Sequence, residues 1–146
     1  MFTRLLVPTD GTAASMAAVD VAIGFAHRCG AQVFGLHVTP FHPYFNEFLD
    51  VLAAPKYEDR ASEFLGYVER RAAQAGVTAA VQTRRADAPW EAIIDAARDL
   101  RCDLIVMGSH GRNKASALLL GSQTQAVLTH SAIPVLVIPP PTHLQS

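Results

Sequence analysis

Cysteine is scarce in this chain: Cys29 and Cys102 are the only two in 146 residues, and they form no CxxC pair. A disulfide framework or a cysteine-rich metal site has nothing to build on, and two isolated thiols suit a reducing compartment, so a cytoplasmic location is expected. Charge is thin as well, at 17% of residues with a net of −1 and no basic block. The electrostatic footprint of a nucleic-acid-binding surface is therefore missing. No apolar run approaches the length of a membrane span. The opening "MFTRLLVPTDG" has neither the apolar core nor the cleavage site of a signal peptide.

Several catalytic and cofactor signatures are also lacking. There is no GxGxxG and no GxSxG elbow, which removes the dinucleotide fingerprint and the α/β-hydrolase nucleophile. "GSHGRNKA" comes near a P-loop, but Asn113 replaces the second glycine and Ala115 the final hydroxyl. Six histidines are spread so that none pairs at helical spacing or joins a cysteine, and a protein-held metal is not expected. Ser109, His110 and Asp10 contain the residue types of a hydrolase, yet adjacent Ser and His in one loop make a poor triad. His110 is the only histidine expected near a ligand.

What is present is a regular alternation. Short apolar runs at 4–8, 32–38, 79–84, 103–108 and 134–138 read as strands. The first, fourth and fifth are continuously apolar, as in strands covered on both faces. Helical spacing appears at 12–29, closed by Gly30, at 57–75, closed by Gly76, after Pro89, and at 122–131. The order β-α-β-α-β-α-β-α-β over residues 1–146 predicts one α/β domain. Right-handed crossovers make it a doubly wound open parallel five-stranded sheet, with helices on both faces.

Two connections are too long to be plain links. Residues 39–56, "TPFHPYFNEFLDVLAAPK", are aromatic and proline-punctuated, and are expected to form a flap over the sheet or a partner-binding surface. Residues 109–121 form the other. In a doubly wound sheet, ligands bind beyond the carboxyl ends of the strands where strand order reverses. Pro8-Thr9-Asp10-Gly11, His37-Val38-Thr39 and Met107-Gly108 would meet there. Gly121-Ser122 opens the last helix, whose free N–H groups and dipole favour an anion. Ser122 and Thr124 add hydroxyls, and Arg112 and Lys114 add positive charge.

"GSHGRNKASALLLGS" is G-x2-G-x9-G-S. Together with "LLVPTDGT", "DLIVMGSHG" and "IPVLVI", it resembles the ATP-binding branch of the universal stress protein family over essentially the whole chain. The resemblance implies strand order 3-2-1-4-5 and an adenine between the ends of strands 1 and 2, touching backbone at Val38. It places Asp10 on the ribose and phosphate side, beside a possible Mg²⁺. Gly108, Gly111 and Gly121 with Ser122 would wrap the ribose and phosphates. Pro8, Thr9, Met107, His110 and Arg112 would stand beside them, and Gln123 and Thr124 would contribute from the helix start. Gln123 departs from the small apolar residue many relatives carry, which leaves its backbone N–H as its expected contribution.

The resemblance further implies a homodimer through the last strand. The function expected is an ATP-binding stress-response regulator with an unknown protein partner and at most slow hydrolysis. The rival readings are an ATP hydrolase or nucleotidyl transferase and a nucleotide-independent dimeric scaffold.

Overall fold

The structure, a computed structural model, describes residues 1–40, 47–110 and 120–141, with side chains described throughout except over 47–57. Strand β1 (Arg4–Pro8) leads to helix α1 (Ala13–Cys29), β2 (Gln32–Pro40), α2 (Glu47–Ala75) and β3 (Ala79–Ala86). Helix α3 (Pro89–Asp99), β4 (Leu104–Gly108), α4 (Ser122–His130) and β5 (Val135–Ile138) complete the chain. All pairings are parallel, as the alternation of elements predicts, and the order β3-β2-β1-β4-β5 is the one the resemblance implies. Among the described residues no helix is long and apolar enough to cross a membrane.

Two buried clusters sandwich the sheet. Leu5, Val7, Val33 and Val106 face α1 and α2, meeting Val19, Ile23 and Val68. Leu6, Phe34, Leu36 and Ile105 face the other way onto Ile93 of α3 and Val127 of α4. The two-residue period of a strand separates these sets, and each helix supplies one apolar stripe. Strands β1 and β4 are buried on both faces, as their unbroken apolar runs predict. β5 has an equally apolar run but is an edge strand, and Leu136 is 37% exposed.

Helix α1 starts at Thr12, whose hydroxyl accepts from the Ser15 N–H, and ends at Gly30, with φ 70°. This is the left-handed cap expected of a glycine there. Gly76 ends α2 in the same conformation, with φ 69°. Helix α2 corrects one expectation: it begins at Glu47 and not at 57. Prolines at 40, 43 and 55 suggest a loop, because an interior proline loses one helical hydrogen bond, yet the helix runs through Pro55. Strand β2 also runs on to Pro40, so only 41–46 separates the two elements. Phe41, Tyr44 and Phe45, three of the aromatics expected to pack over the sheet, lie outside the described residues, as does the side chain of Phe48.

The carboxylate of Asp103 ties the start of β1 to that of β4. It accepts the Thr3 N–H at 2.9 Å, the Thr3 hydroxyl at 3.1 Å and the Arg4 N–H at 3.1 Å, while its own N–H donates to the Arg4 carbonyl at 2.8 Å. Partial burial works to raise the pKa of this carboxyl, but the donors from Thr3 and Arg4 outweigh it and hold the group below its ordinary value. At the opposite end of β4, a Cβ on Gly108 would lie 2.9 Å from Ala14 C and Ser15 N. The first turn of α1 thus seats directly on that glycine.

Two outcomes are expected. Gly108→Ala must push the α1 backbone away and should destabilise the fold by about 1–3 kcal/mol, read as a lower melting temperature; an unchanged melt would contradict this packing. Asp103→Ala should cost about 1.5 kcal/mol or more at neutral pH. Because the folded pKa is lowered, this contribution is present above the ordinary carboxylate pKa, near ~3.9. It is lost as pH falls through the lowered value. The stability gap between wild type and Asp103→Ala should therefore close in acid, and a pH-independent gap would rule the clamp out.

Candidate functional site

Strand β1 is the centre of the sheet and also the place where its order reverses. Its pairing with β2 ends at Pro8 opposite Leu36, and the Thr9 N–H adds a last bond to the Leu36 carbonyl at 2.8 Å. β2 continues to Pro40, paired on its far side with β3. Leu36 aims its carbonyl at β1, so by the two-residue period Val38 aims its own N–H and C=O the same way. There β1 has already turned off. Beyond this gap lies a cleft of about 470 Å³, within the size range of small-ligand sites.

Eleven of the thirteen predicted site residues line this cleft. Pro8, Thr9 and Asp10 come from the end of β1, Val38 from β2, and Met107, Gly108 and His110 from β4 and the residues after it. Gly121, Ser122, Gln123 and Thr124 come from the start of α4. The other two, Gly111 and Arg112, lie outside the described residues, as does Lys114. Leu36, Pro40, Pro89 and Ile93 add an apolar wall that sequence reasoning did not assign to the site, and Ser15, His37 and Arg60 add polar groups.

Internal bonds fix the roles of several side chains. The Asp10 carboxylate accepts the Thr12 N–H at 3.0 Å and the Thr12 hydroxyl at 2.6 Å. Asp10 therefore does not cap α1 itself but holds the residue that does. Thr9 and Ser15 hydroxyls lie 3.2 Å apart beneath this turn, and the Asp10 N–H reaches Ser15 Oγ at 3.3 Å. The two ends of the glycine loop are pinned, with Gly121 N–H on the Ser109 carbonyl at 2.8 Å. Gly121 has φ −64° and ψ 157° and gives α4 no side-chain cap. Any residue can adopt that backbone, so the conformation itself does not call for glycine, and the first-turn N–H groups of α4 receive no side-chain cap from it.

Three expectations need revising. The single O–H of Thr124 donates to the Gly108 carbonyl at 2.9 Å, and the residue is buried. It splices α4 to β4 and has no second proton for a phosphate. Gln123 has a side-chain role after all: its Oε1 accepts the Trp90 N–H at 2.9 Å, bracing α4 against α3. His110 is also not the only histidine at the site, since His37 lines it and is 7% exposed. His37 Nδ1 stands 2.8 Å from the Thr9 carbonyl oxygen; a carbonyl only accepts, so that nitrogen carries the proton. The signal for His37 is its place one residue before Val38, on a strand that outruns its neighbour.

His110 is buried, with Nδ1 3.3 Å from Ser109 Oγ. Among the described residues no cluster of three or more His, Cys, Asp or Glu side chains could hold a metal, and no buried side-chain polar atom lacks a partner. The cleft thus has an apolar end, between Pro8, Leu36, Val38 and Ile93, and a polar end at the start of α4. Such a site suits a ligand with a flat apolar part and an anionic part.

Comparison with known proteins gives the same picture across the chain. The model of the universal stress protein family matches residues 1–139. A universal stress protein of Thermus aquaticus is 33% identical over 144 residues, spanning 94% of this chain and 99% of that protein. Among solved structures, universal stress protein UspA from Lactobacillus plantarum is 27% identical with a TM-score of 0.82, over 94% of this chain and 97% of that one. A universal stress protein in complex with cAMP is 26% identical with a TM-score of 0.72, covering 96% and 99%. The chain is a member of the universal stress protein family.

Proposed function

We propose that the cleft binds ATP and that the chain is a cytoplasmic stress-response regulator whose nucleotide occupancy is the signal read by a protein partner. The observation that carries this is the pairing of unpaired backbone at Val38 with an uncapped helix start at Gly121, across one cleft at the switch point. An N–H and C=O at Val38 match a purine edge that offers one acceptor and one donor. The α4 N-terminus carries partial positive charge toward a phosphate. The related protein solved with cAMP is consistent with a nucleotide in such a cleft. Mg²⁺ would arrive with the phosphates, and Asp10 is the one carboxylate among the described lining residues that would stand near it.

Binding is favoured over turnover. Asp10 has Oδ1 committed to Thr12 at 2.6 Å, which holds it in place and weakens it as a base for water. Free thiols at Cys29 and Cys102 accord with the cytoplasm. We also propose a homodimer through β5, whose outer edge carries the partly exposed Leu136 and is followed by Pro139, Pro140 and Pro141.

Denaturing extraction of the purified protein should release adenine nucleotide, or else the nucleotide-free protein should bind Mg-ATP. At a hundredfold excess over Kd, the ligand should add about 2.7 kcal/mol of stability, or roughly 5–10 °C in melting temperature. Gly121→Val should abolish this shift, because a branched side chain would stand before the helix N–H groups. His110→Ala should keep most of the shift, whatever it does to the unliganded melt, since one hydrogen bond is worth about 0.5–1.5 kcal/mol. Equal loss in both variants would displace the phosphate from α4, and no shift in the wild type would favour the nucleotide-independent scaffold. Light scattering at micromolar concentration should give the mass of a dimer, falling to that of a monomer in Leu136→Lys; a wild-type monomer would refute the β5 interface.

A further inference from the structure

Helix α2 reaches the cleft by a residue that no glycine motif includes. Its packing is a regular ladder against β2. Val68 sits on Gly35, where an added Cβ would meet it at 3.1 Å. One turn earlier, Phe64 stands edge-on to His37, with ring centroids 5.3 Å apart, and its ring also fills the space a side chain on Gly11 would take. Four helical residues rise about 6 Å, close to the ~6.6 Å of two strand residues. The next rung therefore brings Arg60 level with Thr39, and Arg60 does line the cleft, as Asp10 does.

Charge gives this position its meaning. Among the described lining residues, Asp10 is the only carboxylate and Arg60 the only guanidinium or ammonium group. Arg60 thus adds a positive charge to a wall that also holds the Asp10 carboxylate. Arg60 is half-buried, and no described residue pairs with it, although the exposed Glu58, Asp59 and Glu63 are its neighbours on α2. A guanidinium has only donors, in a fork that fits phosphate oxygens.

We propose that Arg60 is a phosphate-attracting binding residue of the cleft, acting from the α2 side opposite the α4 N-terminus, so that the site selects phosphorylated nucleosides over neutral ones. This rests on the nucleotide reading above. The ligand's anionic part would lie between two positive sources on opposite faces of the sheet, one the start of α4 and the other the Arg60 side chain.

The test is isothermal titration of wild type, Arg60→Ala and Arg60→Lys with Mg-ATP, each at about 0.05 M and about 0.5 M salt. Arg60→Ala should weaken binding about tenfold at low salt, and the gap should shrink to about twofold at high salt. Arg60→Lys, which keeps the charge and loses the fork, should stay within about threefold of wild type. Melts without nucleotide should coincide for all three proteins, since Arg60 has no described partner to lose. Arg60→Ala binding like wild type would overturn the proposal. So would an alanine loss that salt does not reduce, because that result would make the contribution one of packing. If wild type itself fails to bind Mg-ATP, the nucleotide reading falls; if it binds and Arg60 has no effect, only this inference does.

Discussion

The unequal length of two neighbouring strands is the constraint on which the site depends. β1 turns away after Pro8, and β2 goes on to Pro40. Because β1 is central, its loss as a partner opens a gap in the middle of the sheet and not at its margin. The crossovers then bring helices to that gap from both sides, with α1 and α2 on one face and α3 and α4 on the other. Most described residues of the cleft belong to the ends of the strands and the starts of the helices, with Leu36, Arg60 and Ile93 reaching it from within β2, α2 and α3.

Holding the strands to these lengths takes bonds at both ends of the sheet. Asp103 ties β1 to β4 at their starts. At the other end, His37 and the Thr9 carbonyl pin the point where β1 departs, and Thr124 joins α4 to Gly108. The polar side chains of the site are thus largely occupied in positioning one another. What remains for a ligand is mostly backbone: the edge at Val38 and the helix start at Gly121.

The fold was legible because its signals are local. Apolar runs, helical spacing and Gly30 and Gly76 as terminators give the order of elements, and parallel topology leaves few ways to arrange them. The start of α2 was not legible, since Pro55 is a local stop signal that the helix overrides. Within the site, residues on the glycine motif and strand ends could be named from their positions in the chain. Arg60 could not, because its place depends on the register of Val68 and Phe64 along β2, a tertiary fact with no trace in residue spacing. Gln123 and Thr124 line the cleft, but the partners of their side chains were not foreseen. Sequence shows where a polar group falls, while its partner, the Trp90 N–H or the Gly108 carbonyl, is chosen by packing.

The overhang at Val38 has an evolutionary corollary. A hydrogen-bonding edge made of main chain is the same whichever side chain hangs from it, and of the twenty residues only proline removes its donor. The neighbouring side chains are free to drift for packing while the edge keeps its chemistry. Relatives sharing only about a third of their residues with this chain, such as that of Thermus aquaticus, can therefore diverge widely at the mouth of the cleft without losing that edge. A change in the length of β2 or in the departure of β1 should therefore disturb that edge more than a change of side chain at position 38.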